Sequence, residues 1–164
     1  MEITWGVPRE RTKITVLPEG RAELVMGTMA SEQGHETSFA RLVTEWTGVP
    51  FDSIDYLARD TAWVAAGGGS HSGRSTKLAT TIIGQPTDEI IAKGRKIAGH
   101  LLEPGEPDIE FVEGHYGIAG TDREIGLFEV ARPPRRGPTC RQNCGGPLAA
   151  MSDQALVASF PYGT

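Results

Sequence analysis

Residues 20–48 read GRAELVMGTMASEQGHETSFARLVTEWTG, and two changes of pattern within them decide the fold. Leu24 and Met26 sit two apart, as on the face of a strand. Thr12, Ile14 and Val16 do the same earlier, with Lys13 and Thr15 between them. Pro18-Glu19-Gly20 lies between the two runs, so an incoming strand and a hairpin are expected over residues 1–27. After Gly27 the pattern stops, and residues 28–36 form a polar loop holding Gln33-Gly34-His35. It resumes with helical period: Phe39, Leu42, Val43 and Trp46 fall at i, i+3, i+4 and i+7. Thr37 or Ser38 is the expected cap of that helix, and Gly48 with Pro50 its end.

Working outward, residues 54–58 read as a short strand. A second small-residue run follows, Ala65-Ala66-Gly67-Gly68-Gly69-Ser70, then His71-Ser72-Gly73. From Arg74 to about Glu103, Leu78, Ile82, Ile83, Ile90, Ile91, Ile97 and Leu101 mark the buried side of a long helix. Pro86 falls inside it, where it removes a donor and crowds the preceding turn, so a kink or two helices meeting near residues 84–86 are expected. The apolar faces of these helices are expected to want sheet from beyond the sequence, which predicts poor solubility or oligomers for the chain alone. Residues 108–112 and 115–118 flank Glu113-Gly114 as a two-residue hairpin. For residues 125–130 the periodicity leaves strand and helix open. From Arg132 the composition turns to Arg132-Pro133-Pro134-Arg135-Arg136-Gly137-Pro138, an extended connector. The final apolar segment, residues 156–163, has no later strand to pair with and looks cut. The expected organisation is α+β: residues 1–132 as part of a domain, 133–151 as connector, and 152–164 as the start of a following strand.

Composition excludes several classes. At 164 residues the chain is one domain. Its 21 glycines and 11 prolines are about a fifth of the chain, against about an eighth on average. Hydrophobic residues make 38%, enough for a core. No apolar run approaches the roughly 20 residues that span a bilayer, and the net charge of −5 argues against a broad nucleic-acid surface. Two cysteines make no disulfide scaffold, so a reducing, cytoplasmic setting is expected. Cys140 and Cys144 are spaced Cys-x3-Cys with no second pair and no nearby His, unlike a zinc or iron–sulfur site.

The two glycine-rich loops carry the chemistry. Each follows a strand and opens a helix, where unpaired N–H groups and the positive end of the helix dipole make an anion site. Glycines let the backbone approach the anion closely. Phosphate or diphosphate binding is the chemistry best served. Gly68 to Ser75 also fits G-x-x-x-x-G-[basic]-[ST], in which Ser75 would sit on magnesium. Arg74 stands where that motif has Lys, however, and no apolar strand ends in an Asp to hold the metal, so a nucleotide P-loop is disfavoured. The bland alternative is a Gly/Ser surface linker, against which the flanking strand and helix and the hydroxyls and Arg count. His35 and His71, one per loop, do not make a metal site. Asp52, Asp55 and Asp60 lack calcium-loop spacing and read as turns and caps.

At Gln33-Gly34-His35-Glu36-Thr37-Ser38-Phe39-Ala40 and Gly67-Gly68-Gly69-Ser70-His71-Ser72-Gly73-Arg74-Ser75 the chain resembles the molybdopterin-binding large subunit of the xanthine dehydrogenase/aldehyde oxidase family. The nearest branch is the aerobic carbon monoxide dehydrogenase-like group. The resemblance continues through residues 88–98, 120–131, 152–154 and 159–163. It implies a fragment of the second molybdenum-cofactor-binding domain, with Gln33, Gly34, His35, Gly69, Ser70, Gly73, Arg74 and Ser75 meeting a molybdenum–molybdopterin cytosine dinucleotide. Gln33 would hydrogen-bond the pterin. FAD and [2Fe-2S] clusters are implied on partner subunits or domains, beside the remainder of the large subunit, and no catalytic residue falls in this chain. The intact enzyme would hydroxylate an aldehyde or N-heterocycle, or oxidise carbon monoxide. The alternatives are a non-catalytic phosphate- or nucleotide-binding module and an inactive pseudogene product.

The chain departs from the family in two places. Glu32 stands where the family has glycine, so a carboxylate is expected beside an anion and a Cβ at a left-handed position. Residues 138–145 can be encoded CCG ACC TGC CGG CAG AAC TGC GGG, which from the third base reads Asp-Leu-Pro-Ala-Glu-Leu-Arg, as the family has before Gly-Pro-Leu. Compensating frameshifts would then account for both cysteines.

Overall fold

The computed structural model describes residues 9–58, 60–64, 66–70, 74–103, 108–132 and 148–155. Strands β1 (Arg9–Leu17) and β2 (Arg21–Met26) form the expected hairpin, paired from Thr12 opposite Met26 to Leu17 opposite Arg21. Gly20 closes it at φ +91°, a left-handed value that suits glycine. Helix α1 (His35–Thr47) then carries the chain across to β3 (Ile54–Leu57), which lies parallel to β2. This strand–loop–helix–strand unit brings the first glycine-rich loop to one end of the sheet.

Helix α2 (Arg74–Leu102) runs 29 residues without a break, through Pro86. The expected junction of two helices near residues 84–86 is therefore absent. Pro86 is buried, and Thr87 beside it donates its hydroxyl to the Ile83 carbonyl at 2.8 Å. Proline has no N–H to give to the preceding turn, and packing of the surrounding turns outweighs that loss. Beyond α2 come β4 (Ile109–Val112), β5 (His115–Ile118) and β6 (Glu124–Gly126), a three-stranded antiparallel sheet in the order β4-β5-β6. Glu113 and Gly114 turn the first hairpin at φ +46° and +84°, the left-handed pair of a two-residue loop. The open choice over residues 125–130 resolves as both: β6 ends at Gly126 and a single turn, α3 (Leu127–Val130), follows.

Strand β7 (Leu148–Ala155) completes the larger sheet, whose order is β3-β2-β1-β7. It begins inside the stretch read as connector and pairs antiparallel with β1, Arg9 opposite Ala155 and Val16 opposite Leu148. Ile14, Val16, Leu24 and Met26 of this sheet meet Phe39 and Val43 of α1 and Leu78, Ile82, Ile83 and Ile90 of α2 in one core. Sheet from outside the sequence was expected against the helices, but β1 and β7 pack against the buried side of α2. At the C-terminal half of α2, Tyr116 of β5 is wholly buried against Gly94, where a Cβ would strike the phenol ring. Burial pushes the Tyr116 phenol above its ordinary value, with Arg95 nearby opposing the shift. Two further sequence readings, the cysteine segment and the apolar residues 156–163, lie outside the described residues.

Candidate functional site

The first loop, residues 27–34, begins where β2 ends. The Gly27 amide donates to the Arg11 carbonyl at 3.2 Å, and the Tyr56 hydroxyl of β3 donates to the Thr28 carbonyl at 2.6 Å. The loop is thus tied to the strands on both sides of β2. Gly34 then takes φ +70° and ψ +32°, and α1 starts at once behind it. Its N-cap makes no side-chain hydrogen bond, so the expected Thr37 or Ser38 cap does not form. Ser38 already lies a turn inside the helix, and its hydroxyl donates back to the Gly34 carbonyl at 3.0 Å. The left-handed glycine starts the helix earlier than a serine cap would, and having no side chain it gives α1 no cap of its own. Gly48 ends α1 as expected, at φ +71° with its amide on the Thr44 carbonyl at 2.8 Å.

Three candidates lie in this loop and at the helix start behind it. Gln33 is exposed and its side-chain oxygen accepts from the Ser31 amide. Gly34 has open space on the side where a Cβ would stand. His35 is 6% exposed and stacks on Phe39 at 4.8 Å between ring centroids, and its Nδ1 has no hydrogen-bond partner among the described residues. Glu32 adopts φ +70°, so its Cβ does occupy a left-handed position.

In the second loop, Gly69 also takes a left-handed φ of +72° with open space beside it. Ser75, in the first turn of α2, is buried and its hydroxyl donates to the Ser70 hydroxyl at 3.3 Å. It is turned inward, against the magnesium role of the P-loop alternative. His71, Ser72 and Gly73 lie outside the described residues, as does the side chain of Arg74.

The two loops meet. Gly27 and Gly67 press backbone to backbone: a Cβ on Gly27 would strike the Ala66 carbonyl, and one on Gly67 would strike Gly27. Beside that contact the buried Glu10 carboxylate accepts from the Thr28 hydroxyl at 2.9 Å and from the Gly68 amide at 3.3 Å. Sequence reasoning passed over Glu10, Gly27, Thr28 and Tyr56. One signal was readable, since Glu10 falls in phase with Thr12, Ile14 and Val16 and is a charge on the buried face of a strand. Among the described residues no cluster of three His, Cys, Asp or Glu could hold a metal, and no helix is long and apolar enough to cross a membrane.

A family profile described as the molybdopterin cofactor-binding domain matches residues 2–151. The chain belongs to this family. The carbon monoxide dehydrogenase large chain of Hydrogenophaga pseudoflava is 34% identical over 113 residues, covering 69% of this chain and 14% of that protein. Subunit gamma of the 6-hydroxypseudooxynicotine dehydrogenase complex of Paenarthrobacter nicotinovorans is 33% identical over 153 residues, covering 92% of this chain and 19% of that one. The solved structure of reconstituted CO dehydrogenase from Oligotropha carboxidovorans superposes with a TM-score of 0.78 at 27% identity, over 90% of this chain and 18% of its own. The chain thus spans less than a fifth of the length of each of these relatives.

The residues present fit an anionic, phosphate-bearing group. A helix start whose N-cap carries no side chain, two left-handed glycines with open space, and a buried imidazole nitrogen with no partner among the described residues offer room or donors to an acceptor. Glu32 opposes it, adding a negative charge two residues before the N-cap.

Proposed function

We propose that this domain holds the pterin and diphosphate of a molybdenum cofactor within the large subunit of a molybdenum hydroxylase. The observation that carries the reading is the junction at Gly27 and Gly67, which sets two glycine-rich, helix-opening loops side by side. In the first loop Gln33 offers its amide hydrogens to the pterin, while Gly34 and His35 present the N–H groups that open α1. In the second, Gly69 gives close backbone approach, Ser75 fixes the Ser70 hydroxyl, and Gly73 and Arg74 meet the diphosphate. The cofactor is proposed in its cytosine dinucleotide form.

When bound, that cofactor supplies the redox chemistry: hydroxylation of an aldehyde or N-heterocycle carbon, or oxidation of carbon monoxide, with water as the oxygen source. This chain's residues bind and orient it. Electrons leave through FAD and [2Fe-2S] on partner subunits in the cytoplasm, and the remainder of the large subunit completes the site. The similarity to a carbon monoxide dehydrogenase and to a nicotine-pathway dehydrogenase subunit supports the class without choosing a substrate.

Titration of the full chain with inorganic diphosphate tests the reading, followed by the amide NMR signals of each loop. The expected result is saturable binding with the largest shifts at residues 34–37 and 68–70. Shifts confined to other elements, or no binding at millimolar diphosphate, would overturn it.

A further inference from the structure

Glu10 is 1% exposed on the inner face of β1, two residues from Thr12 and four from Ile14. A carboxylate there is expensive unless hydrogen-bonded, and an aliphatic side chain would fill the same layer at no such cost. What the carboxylate adds is connection. One oxygen, Oε2, accepts from Thr28 in the first loop and from the Gly68 amide in the second, two segments 40 residues apart in the chain. Around it Gly27 and Gly67 touch without side chains, so no side-chain packing of their own holds the loops in register.

We propose that Glu10 is a positioning residue: it sets the spacing of the two cofactor loops and makes the order of one depend on the other. The ligand half of this statement rests on the proposed function, whereas the coupling of the loops does not. A hydrogen bond to a charged acceptor is among the stronger ones in a protein, and a buried amide that loses it exchanges faster.

The test compares the full chain with Glu10→Ala and Glu10→Gln by native-state hydrogen exchange and by diphosphate titration. Glu10→Ala is expected to speed exchange at the Gly68 amide about tenfold and to weaken diphosphate binding about as much. The amides of Leu24 and Ile82 in the core should keep their rates. Glu10→Gln still presents an oxygen to both donors and is expected to restore most of both readouts. A merely structural Glu10 would instead raise exchange throughout the domain, and that result, or an unchanged Gly68, overturns the proposal. If the intact chain binds no diphosphate but Gly68 still responds, the functional reading fails and the positioning role stands. If Glu10→Ala does not fold, Thr28→Val removes one donor only. It should release the amides of residues 29–30 and, through Glu10, also speed exchange at Gly68, and a Gly68 rate that stays unchanged while residues 29–30 are released overturns the proposal.

Discussion

Replacing Glu32 tests the balance between backbone strain and charge at the first loop. Its φ of +70° is a left-handed value, which costs a non-glycine residue about 1–2 kcal/mol. Glu32→Gly removes that strain, but glycine gives back about 0.5–1 kcal/mol through the greater freedom of the unfolded chain. Losing a carboxylate near the start of α1 removes a further favourable charge–dipole interaction of about 0.3–1 kcal/mol. These terms nearly cancel, so the melting temperature should move by no more than about 4 °C. Anion binding should respond more. Two unit charges 4 Å apart in water interact by about 1 kcal/mol, and a doubly charged diphosphate at about twice that distance gives a similar repulsion. Removing the carboxylate is therefore expected to raise diphosphate affinity about fivefold at about 20 mM ionic strength and to do almost nothing at about 1 M, where screening is complete within a few ångströms. Glu32→Gln keeps the left-handed Cβ and loses the charge, so it should match the affinity gain without the relief of strain. Calorimetric titration of the three proteins at both salt concentrations measures the effect. A gain in Glu32→Gly alone, or one insensitive to salt, would refute the electrostatic reasoning.

Three other perturbations read different parts of the structure. Gly27→Ala drives a methyl into the Ala66 carbonyl and should lower unfolding stability by about 2–3 kcal/mol in urea denaturation, whereas Gly20→Ala, at a left-handed turn with open space around it, should cost about 1 kcal/mol. Burial raises the Tyr116 phenol above its ordinary value of 10.0, so the unfolded chain ionises first. Stability should hold below pH 10 and fall above it by up to about 1.4 kcal/mol per pH unit from this residue, and Tyr116→Phe should flatten that part of the alkaline profile. Hydrogen bonds from Arg21 and Arg11 hold the Asp55 and Asp153 carboxyls below their ordinary value of 3.8. Their stabilisation is present above that value and is lost as pH falls through the lowered one. The ion pairs are exposed, so Asp55→Asn and Asp153→Asn should produce only a small, salt-sensitive change in the acid limb of a thermal melt.

Much of this molecule is legible one segment at a time. The 3.6-residue spacing of Phe39, Leu42, Val43 and Trp46 placed α1, Gly48 ended it, and Glu113-Gly114 marked its hairpin, because amphipathic period and left-handed φ are local properties of a few neighbouring residues. The paired glycine-rich loops were legible too, as was the left-handed strain at Glu32. Pairing across distance was not. That β7 lies against β1, with Ala155 opposite Arg9, depends on two segments well over a hundred residues apart finding complementary faces. No local spacing encodes that choice. Pro86 forbids a helix locally and is overruled by the core on either side of it, and Gly27 and Gly67 look like ordinary loop glycines until their backbones touch. Glu10 shows the division within a single residue. Its alternation with Thr12 and Ile14 put a charge on a buried face, but only the folded chain supplied the two donors, from loops distant in sequence, that make burying it tolerable.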